Sequence, residues 1–217
     1  GYQYLKLDFT FSPSFDGVWA DRSCTPAQRV RAGFDAIRDG AGDDVFLLGC
    51  GAPLANVVGV VDGNRIGADV APSWLPESSP SLLTGYTATL PATRHAWVDT
   101  AVRAFMHRRL WSNDPDCVML RSERTALTPE AARTWARAVG ISGGMVLVSD
   151  DLSLLGADAR SMLDDTIALA RIADDAARAG TVAHAPDLLA GTEPTRLHSP
   201  AGRLRVDLAD GSSHDDQ

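Results

Sequence analysis

Several common signals are scarce in this sequence of 217 residues. There are only three cysteines, Cys24, Cys50 and Cys117, and they form no Cys-x-x-Cys pair. A disulfide framework and a zinc site are therefore not indicated, and a reducing, cytoplasmic location is expected. The longest apolar runs, such as residues 144–148, are too short to cross a bilayer, so no membrane-spanning segment is predicted.

Excess positive charge is also lacking, because 28 acidic residues outnumber 20 basic ones and the formal net charge is −8. No basic patch stands out that would displace counterions from a nucleic acid, so no nucleic-acid partner is expected. No glycine-rich phosphate-binding motif follows any predicted strand, which disfavours a nucleotide-binding protein. This composition is compatible with a neutral small-molecule substrate such as a sugar, but does not by itself indicate one.

Apolar runs and helical patterns alternate along most of the chain. The predicted strands are residues 2–9, 44–50, 60–70, 117–121 and 144–150. The predicted helices are residues 27–40, 93–110, 128–140 and 156–180, the third with Thr128 as its N-cap and Gly140 at its end. Repeated strand-helix units with continuous apolar strands predict an α/β fold with a parallel sheet, although they do not distinguish a barrel from an open sheet.

The C-terminal part of the chain has a different pattern. Residues 195–211 alternate like a short hairpin, and residues 212–217 are expected to be disordered. We therefore predict two regions, a catalytic region over residues 1–183 and an extension over residues 184–217 that could open a β-rich domain. Since the sequence begins inside a predicted strand and without a methionine, the parent protein is expected to extend further.

Polar residues follow the predicted strands at their carboxyl ends, where parallel βα folds place their active sites. At strand ends lie Asp8, Cys50, Gly51, Arg65 and Asp69, while Asp114 and Asp116 come just before the fourth predicted strand and Asp150 and Asp151 follow the fifth. Several carboxylates without a histidine-rich set favour acid/base or nucleophilic chemistry over metal binding. The last four aspartates are more typical of loop-stabilising residues.

A retaining glycosidase needs two carboxylates, about 5 Å apart, one ionised and one protonated. Lys6 lies two residues before Asp8 on the same strand face and would favour the charged form of Asp8. The apolar residues after Asp69, including Trp74, would favour its protonated form. The guanidinium of Arg65 is suited to binding sugar hydroxyls.

Five segments in a fixed order resemble the melibiase-type α-galactosidases of glycoside hydrolase family 36. They are LKLDF at residues 5–9, LLGCGAPL at 47–54, VDGNRIGADVAPSW at 61–74, WSNDPDCVML at 111–120 and VLVSDDL at 146–152. The resemblance covers roughly residues 2–190. It implies a (β/α)₈ TIM barrel, of which this chain contains about the last five strands, the fourth to the eighth. The same resemblance implies that an isolated chain of this extent is poorly soluble and weakly active.

The resemblance also implies roles for individual residues. Asp8 would be the nucleophile and Asp69 the acid/base. The substrate-binding residues would be Lys6, Cys50, Gly51, Arg65 and Trp74. The implied reaction is hydrolysis of terminal α-galactosyl residues of oligosaccharides by double displacement, with no metal and no cofactor. The segment 51–56 departs from the glycine-rich stretch of many family members, which leaves the preferred substituent at the sugar C2 open.

Other functions remain open from the sequence. The same scaffold could act as an α-N-acetylgalactosaminidase or could transfer galactosyl groups to an acceptor. A magnesium-dependent barrel enzyme would also place carboxylates at strand ends, and an inactive chain would only bind sugar. Trp97, Phe105 and Trp135 are predicted to be packing residues, and the oligomeric state is not predicted.

Overall fold

The computed structural model describes residues 1–77 and 90–216, and these fall into two compact units. The first unit contains Gly1–Arg65 and Leu110–Asn113, and the second contains the remaining described residues. The predicted boundary after residue 183 stays a prediction. In the described part of the chain, no helix is both long enough and apolar enough to span a membrane.

The first unit is built on a parallel sheet flanked by helices. Its elements are β1 (Tyr4–Leu7), a 3₁₀ turn (Ser12–Ser14), α1 (Pro26–Ala41), β2 (Phe46–Gly49), α2 (Leu54–Val57), β3 (Gly63–Arg65) and β4 (Ser112–Asp114, of which Asp114 is assigned to the second unit). The strand order is β1-β2-β3-β4, and the β1-β2 and β2-β3 pairs are parallel. Leu7 pairs with Gly49, which brings the carboxyl ends of β1 and β2 to the same edge.

Local sequence explains where α1 begins. Thr25 is its N-cap and accepts a hydrogen bond from the Gln28 amide, while the Gln28 side chain accepts one from the Thr25 amide. This reciprocal capping box satisfies amides that the first helical turn leaves without partners. Val30 and Phe34 are buried on one face of the helix, as predicted for residues 27–40.

The second unit contains a two-stranded parallel sheet and a three-stranded antiparallel sheet. Its elements are α3 (Thr93–Arg103), a 3₁₀ turn (Ala104–Met106), β5 (Cys117–Val118), α4 (Pro129–Ser142), β6 (Leu147–Val148), a 3₁₀ turn (Leu152–Leu154), α5 (Ala157–Arg178), β7 (Arg196–Ser199), β8 (Gly202–Val206) and β9 (Ser213–Asp215). β5 pairs with β6, and β8 lies between β7 and β9. The predicted hairpin is confirmed.

The core of the second unit forms around two fully buried indoles, Trp97 and Trp135, both predicted to be packing residues. The Trp135 indole N–H donates to the Cys117 carbonyl at 3.0 Å, which joins α4 to β5. Burying such large apolar rings is a major source of stability, provided that the indole N–H finds an acceptor.

The structure corrects the prediction that α4 ends at Gly140. The helix continues to Ser142, and Gly143 has the left-handed conformation, φ 77°, at its end. A Cβ on Gly140 would lie 2.9 Å from Leu169 Cβ and 3.0 Å from the Thr166 carbonyl oxygen. Gly140 therefore permits close packing of α4 against α5. A glycine at this position indicates close contact between helices and not the end of a helix.

Three other predictions are wrong. The strand predicted over residues 117–121 is limited to β5 (Cys117–Val118), and β4 (Ser112–Asp114) was not predicted; Asp116, with a positive φ of 84°, turns the chain between the two strands. Phe105 is 41% exposed and is not a core residue. Residues 213–215 form β9, since they pair with β8, whereas disorder was expected there; Gln217 lies outside the described residues.

Candidate functional site

The carboxyl edge of the first sheet presents the candidate nucleophile. Asp8 follows β1 directly and is solvent-exposed, and its Oδ1 accepts a hydrogen bond from the Phe9 amide at 2.8 Å. Phe9 has a left-handed backbone, φ 53°, which is costly for a residue with a side chain and typical of functional sites. The hydrogen bond fixes one carboxylate oxygen and leaves the carboxylate accessible at the sheet edge.

Cys50 follows the neighbouring strand β2 and lies beside Asp8. Its amide donates to the Leu7 carbonyl at 2.8 Å, which continues the β1-β2 pairing by one step. The Cys50 thiol beside Asp8 is the main reason why the pKa of the Asp8 carboxyl lies below its ordinary value. The Phe9 amide and the positive charges of Lys6 and Arg65 lower the pKa of Asp8 further, and partial burial opposes them.

The same contact affects the thiol in the opposite direction. Burial and the neighbouring Asp8 carboxylate raise the pKa of Cys50 to about 11. A thiol with that pKa is almost entirely protonated near neutral pH, and only the thiolate is a strong nucleophile. Cys50 is thus a protonated thiol at this edge, and Asp8 is the ionised group.

Gly51 places the loop after β2 against the loop after β1. Its φ is 58°, and a Cβ on it would lie 3.3 Å from the Phe11 ring and 3.5 Å from the Phe9 amide nitrogen. The Thr10 hydroxyl also donates to the Cys50 carbonyl at 3.2 Å. The first unit therefore brings together five of the predicted site residues: Lys6, Asp8, Cys50, Gly51 and Arg65.

The remaining two predicted site residues, Asp69 and Trp74, lie in the second unit. Asp69 is exposed, and its carbonyl accepts a hydrogen bond from the Ala92 amide at 3.0 Å. Trp74 is only 6% exposed, and its indole N–H donates to the Leu208 carbonyl at 3.0 Å. Since sugar binding to a tryptophan needs an open ring face or an accessible N–H, Trp74 is a core residue here, and the prediction that it binds substrate is corrected.

Two carboxylates hold the main chain on either side of Asp69. Asp116 Oδ2 accepts from the Val70 amide at 2.9 Å, and Asp99 Oδ2 accepts from the Ala68 amide at 3.0 Å. Sequence reasoning missed Asp99 entirely, because it lies inside helix α3, far from any strand end. The only indication in the sequence is that a charged side chain lies beside the apolar face of that helix.

The other strand-end aspartates bind main-chain amides, as the sequence predicted for loop-stabilising residues. Asp114 Oδ1 accepts from the Asp116 amide at 2.8 Å. Asp150 accepts from the Leu120 amide and pairs with Arg121 at 2.8 Å. Asp151 caps the 3₁₀ turn by accepting from the Ser153 amide at 2.9 Å. Among the described residues, no group of three or more His, Cys, Asp or Glu side chains could hold a metal ion.

Comparison with known proteins gives one consistent set of neighbours. No protein-family model matches the chain. The α-galactosidase TtGalA from Thermus thermophilus, solved with stachyose, is 30% identical over 77% of this chain with a TM-score of 0.60. The same enzyme solved with p-nitrophenyl α-D-galactopyranoside is 27% identical over 94% of this chain with a TM-score of 0.64. α-Galactosidase I from Mortierella vinacea shares the fold at 14% identity, over 94% of this chain and 52% of its own, with a TM-score of 0.60.

The fold is part of an α-galactosidase-like barrel. The predicted α/β class and incomplete TIM barrel are thereby confirmed. The chain spans about a third of the length of the Thermus enzyme, 34% and 37% in the two structures. The solved neighbours are glycoside hydrolases, and the Thermus enzyme was captured with galactosides.

Proposed function

We propose that this chain carries the catalytic carboxylates of a retaining α-galactosidase of glycoside hydrolase family 36. The observation that carries the proposal is the environment of Asp8. This exposed carboxylate follows the first parallel strand and is kept ionised by the Cys50 thiol, the Phe9 amide and the charges of Lys6 and Arg65. An accessible carboxylate that stays ionised is what a glycosidase nucleophile requires.

In the proposed reaction, Asp8 attacks the anomeric carbon of a terminal α-galactosyl residue and forms a β-galactosyl ester. Asp69 protonates the departing oxygen and then removes a proton from the water that hydrolyses the ester. Lys6, Cys50, Gly51 and Arg65 bind the sugar hydroxyls. Support for the substrate comes from the motifs around these residues and from the 27–30% identity to the Thermus enzyme.

The test uses the full-length protein that carries this sequence and p-nitrophenyl α-galactoside as substrate. Proton NMR of the first product distinguishes the two stereochemical outcomes, since double displacement releases α-galactose before mutarotation. We expect the α-anomer first. Release of the β-anomer, or no release of nitrophenol from a folded protein, would contradict the proposal.

Two further measurements separate the alternatives. Relative kcat/KM for α-galactosides and α-N-acetylgalactosaminides reports on the space near the sugar C2. Because Phe11 already packs closely against Gly51, we expect the galactoside to be preferred. Activity that is unchanged by EDTA is expected, and its loss on chelation would favour a metal-dependent barrel enzyme instead.

A further inference from the structure

We propose that Asp116 and Asp99 are positioning residues for Asp69, which they act on through the main chain. This inference rests on the proposed acid/base role of Asp69. Asp116 Oδ2 holds the Val70 amide at 2.9 Å, and Asp99 Oδ2 holds the Ala68 amide at 3.0 Å. The residue between these amides is Asp69, so its Cα is fixed from both sides by carboxylates of other segments.

We call the Asp99 and Asp116 carboxylates and the two amides that they bind the clamp. Further main-chain hydrogen bonds extend it along residues 66–70. The Ile66 amide donates to the Asp114 carbonyl at 3.0 Å, so alternate amides at 66, 68 and 70 are all bound. The Asp69 carbonyl in turn accepts from the Ala92 amide at 3.0 Å. A segment with so many main-chain hydrogen bonds is rigid, as precise placement of a proton donor requires.

Asp99 is itself held in place. Arg103, one turn further along α3, pairs with Asp99 Oδ1 at 2.6 Å and also donates to the Ile66 carbonyl. A Cβ on Gly67 would lie 2.7 Å from Asp99 Cβ, so a glycine at this position allows the helix to approach the segment. Residues 65–69, with the sequence R-I-G-A-D, therefore contain both the candidate acid, Asp69, and the glycine that lets Asp99 approach.

Asp116 adopts an unfavourable conformation in order to reach Val70. It is buried and left-handed, with φ 84°, a region that residues with side chains occupy rarely. Its other oxygen accepts from the Cys117 amide at 2.7 Å, and its own amide donates to Asp114. Such a conformation persists where the surroundings over-determine it, commonly near functional sites.

Displacement of Asp69, the proposed acid, should slow the hydrolysis of different α-galactosides by different factors. Sugar leaving groups need protonation as they depart, whereas fluoride leaves without a proton donor. Losing the clamp should therefore slow the hydrolysis of melibiose or raffinose while sparing α-galactosyl fluoride. A general loss of folded protein would lower the activity on all three substrates equally.

The experiment compares Asp116→Ala and Asp99→Ala in the full-length protein on melibiose and α-galactosyl fluoride. We expect kcat/KM to fall about 10- to 100-fold for melibiose and less than about threefold for the fluoride. Asp116→Asn, which keeps an acceptor oxygen for Val70 but places an NH2 group beside the Cys117 amide, should restore part of the melibiose activity. The matched control is Asp150→Ala, which removes another buried carboxylate from a main-chain amide, at Leu120, and should affect both substrates alike.

Equal losses on both substrates in Asp116→Ala and Asp99→Ala would overturn the inference. Asp69→Ala identifies which idea has failed. If Asp69→Ala selectively loses melibiose activity and the clamp variants do not, only the clamp is wrong. If Asp69→Ala itself shows no selectivity for the leaving group, the acid/base assignment and the clamp are both wrong.

Discussion

The two candidate catalytic aspartates are held in different ways. In the first unit, the Asp8 carboxylate itself accepts a hydrogen bond from the Phe9 amide, and the Cys50 thiol lowers its pKa. In the second unit, the carboxylates of Asp99 and Asp116 bind the main chain next to Asp69. The first arrangement acts on the charge of a carboxylate, and the second acts on the position of one.

This difference matches the tasks proposed for the two residues. A nucleophile must remain ionised, so direct donors to its oxygens are useful. A residue that acts first as acid and then as base must be placed accurately against the leaving group and the water, so a fixed backbone is useful. The hydrogen bonds to the amides on either side of Asp69 fix the position of its backbone.

The largest expected effects come from replacing each candidate catalytic aspartate, Asp8 or Asp69, with asparagine. Asp8→Asn should lower kcat/KM at least about 10⁴-fold on every α-galactoside, because no ester can form. Asp69→Asn should lose about 10²- to 10⁴-fold, but only with leaving groups that need protonation. Steady-state kinetics on melibiose and α-galactosyl fluoride checks both results.

Asp151→Asn serves as the control for these variants, since Asp151 also follows a strand but only caps a 3₁₀ turn. Its activity should stay within about threefold of wild type, because asparagine can still cap the turn. A loss at Asp151 as large as the loss at Asp8 would remove the distinction between the two kinds of aspartate.

A second prediction concerns Asp174, a carboxylate that only stabilises the fold. Burial opposes its charge, but hydrogen bonds from Arg108, His107 and Arg178 outweigh burial and hold the pKa of Asp174 far below 3.8. Its stabilisation is present above the unfolded pKa and is lost as the pH falls toward the folded value. Asp174→Asn should cost about 2 kcal/mol at pH 7.

Urea unfolding at several pH values measures this contribution. The difference in unfolding free energy between wild type and Asp174→Asn should shrink progressively as the pH falls below about 4. Asp8→Asn, whose carboxylate is exposed, should leave stability almost unchanged at pH 7. If the difference in unfolding free energy between wild type and Asp174→Asn increased on acidification, the proposed role of Asp174 would be wrong.

The smallest predicted effect is at Cys50. Because its thiol is the main factor lowering the pKa of Asp8, Cys50→Ala should raise that pKa and move the acidic limb of the kcat/KM profile to higher pH. The activity of Cys50→Ala should fall several-fold near pH 4 and less at pH 7. In Cys50→Ser, which keeps a hydrogen-bond donor, the acidic limb should stay at its wild-type pH. An acidic limb that is unmoved in Cys50→Ala would show that the thiol does not act on Asp8.

Local patterns predicted much of this fold. Thr128 caps α4 by accepting from the Ala131 amide, as its sequence position indicated, and all the predicted helices are present. The carboxyl-end residues of β1 and β2 meet because parallel pairing leaves no other arrangement for them. The residues around Asp8 could therefore be proposed from spacing and motif alone.

The clamp on Asp69 could not be predicted in this way. It depends on side chains reaching main-chain amides 31 and 46 residues away, and no local periodicity encodes such a contact. The left-handed backbone of Asp116 was not predicted for a related reason, since hydrogen bonds of its carboxylate, including one to the distant Val70 amide, stabilise it where a glycine would otherwise be expected. Trp74 and Phe105 were misplaced because hydrophobicity alone does not decide which rings a core encloses.

The most direct test of the central claim is covalent trapping of the nucleophile. The full-length protein is incubated with 2-deoxy-2-fluoro-α-galactosyl fluoride, digested, and mapped by mass spectrometry. This account predicts a single glycosyl ester on Asp8, within the peptide that contains residues 5–9. An ester on any other carboxylate, or turnover of α-galactosides with no trapped ester, would contradict it.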